Sequence, residues 1–186
     1  MALKSTIYKA NLSIADIDHS YYEDHQLTLA RHPSETDERM MIRLLALAIN
    51  AYKLQAVCHG DGKLAFGAGL SDPDDPDVSL RDFTGQTRMW IEVGQPEDKP
   101  IMKACQKADE VLLYCFNHAA EVWWKGIETK LTRLDKLQVW RVPTERSQEL
   151  AQLAERSMQL QATVQEGAVT FSSDKGSVHI ELQRWK

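Results

Sequence analysis

Two acidic residues flank a predicted β-hairpin near the middle of the chain. Asp77 precedes the first strand segment, and Glu92 lies fifteen residues further on. A turn signal at residues 83–86 separates two apolar segments with strand character. If Asp82 pairs with Thr87, cross-strand partners have numbers that sum to 169, so Asp77 lies opposite Glu92. The spacing therefore predicts two carboxylates on one face of a sheet, about 4.5–5.5 Å apart.

Two carboxylates in this arrangement predict a cation site. They can hold one hard divalent cation through oxygen, and Mg²⁺ or Mn²⁺ is the expected ion. Such an ion activates a water molecule and neutralises charge on a phosphate, so phosphodiester cleavage is the reaction that this pattern favours. The alternative is that Pro76 and Asp77 form an ordinary turn pair and that both carboxylates are solvated charges at a strand end.

Two further side chains are candidates for the same site. Glu38 shares a helical face with Met41 and is the candidate third ligand, with Glu35 as the alternative. Lys103 lies on the next predicted helix and is the candidate that positions a phosphate, with Lys99 as the alternative. The simpler interpretations are that Glu38 is a first-turn acid favoured by the helix dipole and that Lys103 is a surface lysine.

The periodicity of apolar residues predicts a mixed α and β fold in a single domain of residues 1–186. A helix follows Ser34, the predicted N-cap, and runs to about residue 54. The central order is then helix, three strands, helix, strand, with an N-terminal strand pair and a C-terminal β-meander around it. The predicted strands are residues 4–14, 25–31, 63–67, 78–80, 89–91, 111–116, 137–140, 158–164, 169–171 and 178–182, and the later helices are residues 98–108, 119–131 and 144–156.

Composition limits the partners and the compartment. The 186 residues carry a net charge of −5, which argues against a strong non-specific nucleic-acid binder, although it leaves room for a local basic cleft. The three cysteines have no metal-site spacing, so we expect buried, reduced thiols in a cytoplasmic protein. No apolar run is long enough to span a bilayer. We expect a monomer, with nucleic acid as the candidate partner.

Several segments together resemble the YaeQ family. They include the His-Pro-Ser-Glu-Thr stretch and cover residues 2–10, 27–41, 90–96 and 158–163. The resemblance implies a small bacterial protein with a variant PD-(D/E)XK nuclease-like fold, that is, a restriction-endonuclease-like αβββαβ core with a mixed sheet. It places Asp77 and Glu92 at the two acidic positions of that motif. Gly94 stands where the motif has lysine.

Two functions follow from these patterns. The first is a metal-dependent phosphodiesterase that acts on DNA or RNA through Asp77, Glu92, Glu38 and Lys103. The second is a non-catalytic binding or regulatory protein on the same fold. The retained acids favour the first function, whereas Gly94 and the acidic composition favour the second.

Overall fold

The computed structural model describes residues 4–68, 70, 72 and 74–186. The helices in this part of the chain are α1 (Asp37–Asn50), α2 (Lys53–Ala56), α3 (Asp98–Lys107), α4 (Ala120–Leu131) and α5 (Thr144–Ala151). The strands are β1 (Thr6–Asp16), β2 (Tyr21–Arg31), β3 (Gly62–Phe66), β4 (Val78–Asp82), β5 (Thr87–Val93), β6 (Ala108–Cys115), β7 (Leu137–Arg141), β8 (Ser157–Gln165), β9 (Ala168–Ser173), β10 (Gly176–Glu181) and β11 (Gln183–Arg184).

The strands form two mixed sheets. The terminal sheet has the order β10-β9-β8-β1-β2, in which only the β1–β8 pair is parallel. The central sheet has the order β11-β7-β6-β5-β4-β3. Its strands β5, β6 and β7 are parallel to one another, while β3, β4 and β11 pair antiparallel with their neighbours. The predicted mixed α/β class is therefore confirmed.

Helix α1 lies between the two sheets. Ten of its fourteen residues are buried, and from Met40 onward they are apolar apart from Arg43 and Asn50, as expected for a helix surrounded by other elements. One buried cluster joins α1 to the inner face of the terminal sheet and to one face of the central sheet. A second cluster packs α3 and α4 on the opposite face of the central sheet. Alternate residues of β5 enter the two clusters, because successive side chains of a strand point to opposite faces.

The element order matches the prediction, but several boundaries differ. Helix α1 begins at Asp37, because the Thr36 hydroxyl caps it by accepting a hydrogen bond from the Arg39 amide at 3.1 Å. The hydroxyl of Ser34, the predicted cap, is instead bonded to His32 at 2.6 Å. The first long helix also breaks after Asn50 into α1 and α2. Helix α5 is shorter than predicted, and the two-residue edge strand β11 was missed.

Candidate functional site

The central hairpin has the predicted register where it matters for the site. The observed pairs are Val78 with Ile91, Ser79 with Trp90 and Leu80 with Met89, all of which sum to 169. The Asp77 amide extends this ladder by donating to the Ile91 carbonyl at 2.9 Å. Asp77 and Glu92 are therefore cross-strand neighbours, and the charge of Asp77 acts on the carboxyl group of Glu92.

The register assumed at the turn is wrong. A bulge between Leu80 and Arg81 places Thr87 opposite Arg81 rather than opposite Asp82. The cause is local, because one carboxylate oxygen of Asp82 accepts hydrogen bonds from the backbone amides of Thr84 and Gln86, both at 3.0 Å. The turn closes around that carboxylate, and the irregularity does not reach the pairs nearest Asp77.

Asp77 is fully engaged by protein donors. Its side chain is 1% exposed. The Nη2 atom of Arg39 lies 2.8 Å from each of its carboxylate oxygens, and the Val93 amide donates to Oδ2 at 2.8 Å. The same Nη2 atom also lies 3.1 Å from the Val93 carbonyl oxygen. One guanidinium nitrogen of α1 therefore sits among three oxygens at the carboxyl end of β5.

Arg39 belongs to a buried network of charges at the start of α1. Its Nη1 atom donates to Glu35 at 2.7 Å, and Arg43 donates to the other carboxylate oxygen of Glu35 at 2.7 Å. Burial acts to lower the pKa of Arg39, but the charges of Asp77 and Glu35 outweigh it and the net direction is upward. Arg39 is therefore a permanent cation held between two carboxylates.

Glu92 differs from Asp77 in its surroundings. Its carboxyl group is partly buried on the same sheet face as Trp90, whose indole N–H donates to it at 2.7 Å. Burial, and then the negative charge of Asp77, raise the pKa of Glu92 to about 8, although the Trp90 hydrogen bond and Arg39 oppose the change. Glu92 is therefore largely protonated at neutral pH, and the site holds one negative charge rather than two at this pair.

The backbone explains why position 94 is glycine. Gly94 has φ +117°, a conformation that L-residues rarely adopt, although no atom of the described residues lies within 4 Å of where its Cβ would be. Its amide donates to the Tyr114 carbonyl at 2.9 Å and so ties the end of β5 to β6. A lysine at this position would be strained by the backbone rather than by neighbouring atoms.

A second glycine positions Asp77 from the other side. A Cβ on Gly67 would lie 1.8 Å from the Pro76 carbonyl oxygen, so only glycine fits beneath that peptide. The Gly67 amide donates to the Asp77 carbonyl at 3.1 Å. The close approach of these two segments fixes the backbone that carries the carboxylate.

An open cavity of about 440 Å³ adjoins the pair. Arg39 and Glu92 form part of its wall. Its other lining residues are Leu70, Asp72, Asp75, Val93, Gly94, Gln95, Pro96, Glu97, Pro100 and Phe116. This space lies beyond the carboxyl ends of the parallel strands β5 and β6, which is where ligands bind in open α/β sheets.

The other two candidate residues have partners outside the pair. Glu38 accepts a hydrogen bond from Ser147 at 2.5 Å and so joins α1 to α5. The Nζ atom of Lys103 is 3.9 Å from Asp74, and its side chain is 67% exposed. Among the described residues, no group of three His, Cys, Asp or Glu side chains is arranged to hold a metal ion. The structure therefore brings together Asp77 and Glu92 but adds neither Glu38 nor Lys103 to them.

Arg39 contacts Asp77 directly but is not among the site residues predicted from the sequence. Glu35, Arg39 and Arg43 recur at four-residue spacing, which places them in one row at the start of a predicted helix that is rich in apolar residues. Two arginines in such a helix need buried partners, and that need is a signal for a charge network. The spacing gives no indication that the partner of Arg39 is Asp77.

The three cysteines are free and buried, as the composition predicted. Burial raises the pKa of Cys115 to about 12, so its thiol stays protonated at neutral pH. None of the helices among the described residues combines the length and apolar character needed to cross a membrane.

Comparison with known proteins identifies close relatives over the whole length. The family model described as "YaeQ protein" matches residues 1–182. The uncharacterised YaeQ proteins of Escherichia coli K12 and Salmonella typhi are each 41% identical over 187 aligned positions, which cover 100% of this chain and 98% of each relative.

Two crystal structures are similar to the chain. The YaeQ protein of Xanthomonas axonopodis pv. citri has a TM-score of 0.87 and 38% identity, with 98% of both chains covered. The YaeQ protein of Pseudomonas syringae has a TM-score of 0.89 and 33% identity, covering 98% of this chain and 96% of its own.

Proposed function

We propose that this chain, which belongs to the YaeQ family, binds Mg²⁺ or Mn²⁺ at Asp77 and Glu92 and cleaves phosphodiesters slowly. The proposed scaffold is a variant restriction-endonuclease-like core. In support, α1 is followed by the antiparallel strands β3, β4 and β5, then by α3 and by β6 parallel to β5. The candidate substrate is DNA or RNA.

One observation carries the proposal. The carboxylate of Asp77 and the carbonyl of Val93 converge on a single cationic nitrogen, with the carboxyl group of Glu92 beside them. Carboxylate and carbonyl oxygens are the ligands that Mg²⁺ and Mn²⁺ prefer. The donor set therefore fits a hard divalent cation, and the neighbouring cavity leaves space for a phosphate group.

The residues have separate roles in this proposal. Asp77 and Glu92 hold the cation, for which Glu92 releases its proton, and Val93 contributes its carbonyl oxygen. A bound divalent cation supplies an activated water and neutralises charge on the phosphate. Lys103 would have to leave Asp74 to reach that phosphate, since the two side chains now face each other. Glu38 would act from α1 only after releasing Ser147.

Slow turnover follows from the missing cation at position 94. One well-placed group that stabilises a transition state is worth about 10²–10³ in rate, by analogy with oxyanion donors. Gly94 cannot supply that charge, and Lys103 is exposed to solvent. Gly94 in place of lysine and the exposure of Lys103 also favour the second candidate function, a non-catalytic binding protein.

A nuclease assay separates the two functions. Wild type and Glu92→Gln are purified identically and incubated with single- and double-stranded DNA and RNA in Mg²⁺ or Mn²⁺. The phosphodiesterase predicts slow cleavage by wild type that Glu92→Gln abolishes, while Glu128→Gln, an exposed acid on α4, cleaves as wild type does. Cleavage that is equal in wild type and Glu92→Gln, or that is absent from all three proteins, would refute the phosphodiesterase and favour the non-catalytic binding protein.

A further inference from the structure

Arg39 occupies the centre of the oxygen cluster. Its Nη2 atom is 2.8 Å from both carboxylate oxygens of Asp77 and 3.1 Å from the Val93 carbonyl oxygen. The two distances to Asp77 are those of charge-assisted hydrogen bonds. The side chain is only 13% exposed, so the contacts are shielded from solvent.

A divalent cation and this nitrogen cannot share the cluster. Ions of this class lie about 2.0–2.6 Å from their oxygen ligands, so an ion bound to Asp77 and to the Val93 carbonyl would overlap Nη2, which lies within 3.1 Å of those oxygens. A carboxylate has about four acceptor sites, and the Val93 amide takes a further site on Oδ2. Little of Asp77 is left for a metal while Arg39 stays in place.

The geometry points to Arg39 as an exchangeable counter-cation: it closes the oxygen cluster of Asp77 and Val93 when no divalent ion is bound, and it must withdraw before one binds. This inference rests on the proposed function, because it assumes that the ion binds at Asp77. It adds a control element within the site, since cation binding then depends on displacing a side chain of α1.

The surrounding residues allow such a withdrawal. The Nη1 atom of Arg39 is anchored separately, on Glu35 at 2.7 Å. Glu35 is held in turn by Arg43 at 2.7 Å, so this anchor does not depend on Asp77. Arg39 also lines the cavity of about 440 Å³ beside Glu92. Nη2 can therefore turn into that space while Nη1 keeps its carboxylate partner.

Mn²⁺ titration followed by electron paramagnetic resonance tests the exchange. Arg39→Met removes the competing charge and keeps a flexible side chain of similar reach. We expect it to bind Mn²⁺ at least about tenfold more tightly than wild type, because a like charge a few ångström from the ion is gone. Arg31→Met is the matched control: the Nη1 atom of Arg31 donates to the backbone carbonyl of Glu35 at 2.9 Å, but the structure gives Arg31 no contact with Asp77. Its affinity should stay within about threefold of wild type.

The outcomes distinguish failure of the Arg39 exchange from failure of the metal site itself. Equal Mn²⁺ affinity of wild type and Arg39→Met, with binding lost in Asp77→Asn, would overturn the exchange and keep the metal site. Absence of Mn²⁺ binding in wild type and in folded Arg39→Met would overturn both the exchange and the proposed function. A tighter Arg39→Met accompanied by an equally tighter Arg31→Met would reduce the effect to net charge and overturn the exchange.

A measurement on wild type covers the case in which Arg39→Met does not fold. The side-chain Nε–Hε resonances of Arg39 and Arg31 are assigned through bonds and followed by NMR during Mg²⁺ addition. The exchange predicts that the Arg39 resonance shifts at the Mg²⁺ concentrations at which calorimetry detects binding, while that of Arg31 does not. Mg²⁺ binding that leaves Arg39 unperturbed would refute the exchange.

Discussion

Asp77→Asn should be among the most destabilising isosteric substitutions in this protein. The carboxylate is 1% exposed and receives Arg39 on both oxygens and the Val93 amide on one of them. Asparagine keeps the shape of the side chain but removes its charge. It also replaces one acceptor oxygen with an NH₂ group, although Arg39 donates to both oxygens, so at least one contact becomes a donor facing a donor.

The magnitude follows from the burial of the pair. Removing one partner of a buried ion pair costs about 3–5 kcal/mol, because the other charge stays buried without compensation. For a chain of this length, each kcal/mol lowers the melting temperature by about 2–4 °C, so the expected loss is about 10 °C. Arg39 keeps Glu35 as a partner at 2.7 Å, which lowers the free-energy cost of losing the Asp77 charge.

Urea unfolding of four variants tests this reasoning. Asp98→Asn is the control, since Asp98 pairs with Lys130 at 3.5 Å on the surface and should change stability by less than about 1 kcal/mol. Arg39→Met and the double variant complete a mutant cycle with Asp77→Asn. We expect a coupling energy of about 1–3 kcal/mol, because the double variant no longer buries an unpaired charge. A loss below about 1 kcal/mol for Asp77→Asn, or a coupling near zero, would refute the buried-pair account.

Three further predictions concern the same region. The pKa of Glu92 is about 8 in folded wild type but near 4.5 in the unfolded chain. The contribution of this group to the stability of wild type is therefore fully present below about pH 4.5 and is lost as the pH rises through 8. Glu92→Gln lacks this titration, so its free energy of unfolding relative to that of wild type should rise as the pH is raised from about 4.5 to 8. The measurement is urea unfolding in the presence of a chelator, and stability–pH curves that stay parallel would contradict the prediction. Gly67→Ala should lose about 1–3 kcal/mol, because its Cβ would meet the Pro76 carbonyl at 1.8 Å, and a neutral effect on the melting temperature would show that the segment yields. Gly94→Lys should lose about 1–3 kcal/mol from its backbone conformation at φ +117° and should gain no nuclease activity; an active, stable variant would be the contrary result.

The relation of Asp77 to Glu92 was predictable because hairpin register depends on short-range sequence. A turn signal and strand parity were enough to place the two residues opposite each other. The same reasoning failed at Arg81, because a bulge depends on how the Asp82 side chain closes the turn. Periodicity likewise predicted the order of the elements, but it missed β11, a two-residue edge strand that has no apolar pattern to detect.

The partners of the site were not predictable in the same way. Arg39 and Asp77 are 38 residues apart, and their contact depends on how α1 packs against the end of the central hairpin. Glu38 has the helical spacing expected of a site residue, yet packing turns it toward Ser147 on α5. Spacing identifies the face of a helix on which a charge lies, whereas the identity of its partner is decided by tertiary structure.

Anomalous diffraction from crystals of this protein soaked in Mn²⁺ tests the central claim most directly. The account predicts one strong peak about 2.0–2.6 Å from carboxylate oxygens of both Asp77 and Glu92, lost in crystals of Glu92→Gln. The Arg39 side chain should have moved away from the Val93 carbonyl in the same map. The absence of a peak between the two acids at saturating Mn²⁺, or a peak only at the acidic surface around Asp74, would contradict the claim that this pair is a divalent-cation site.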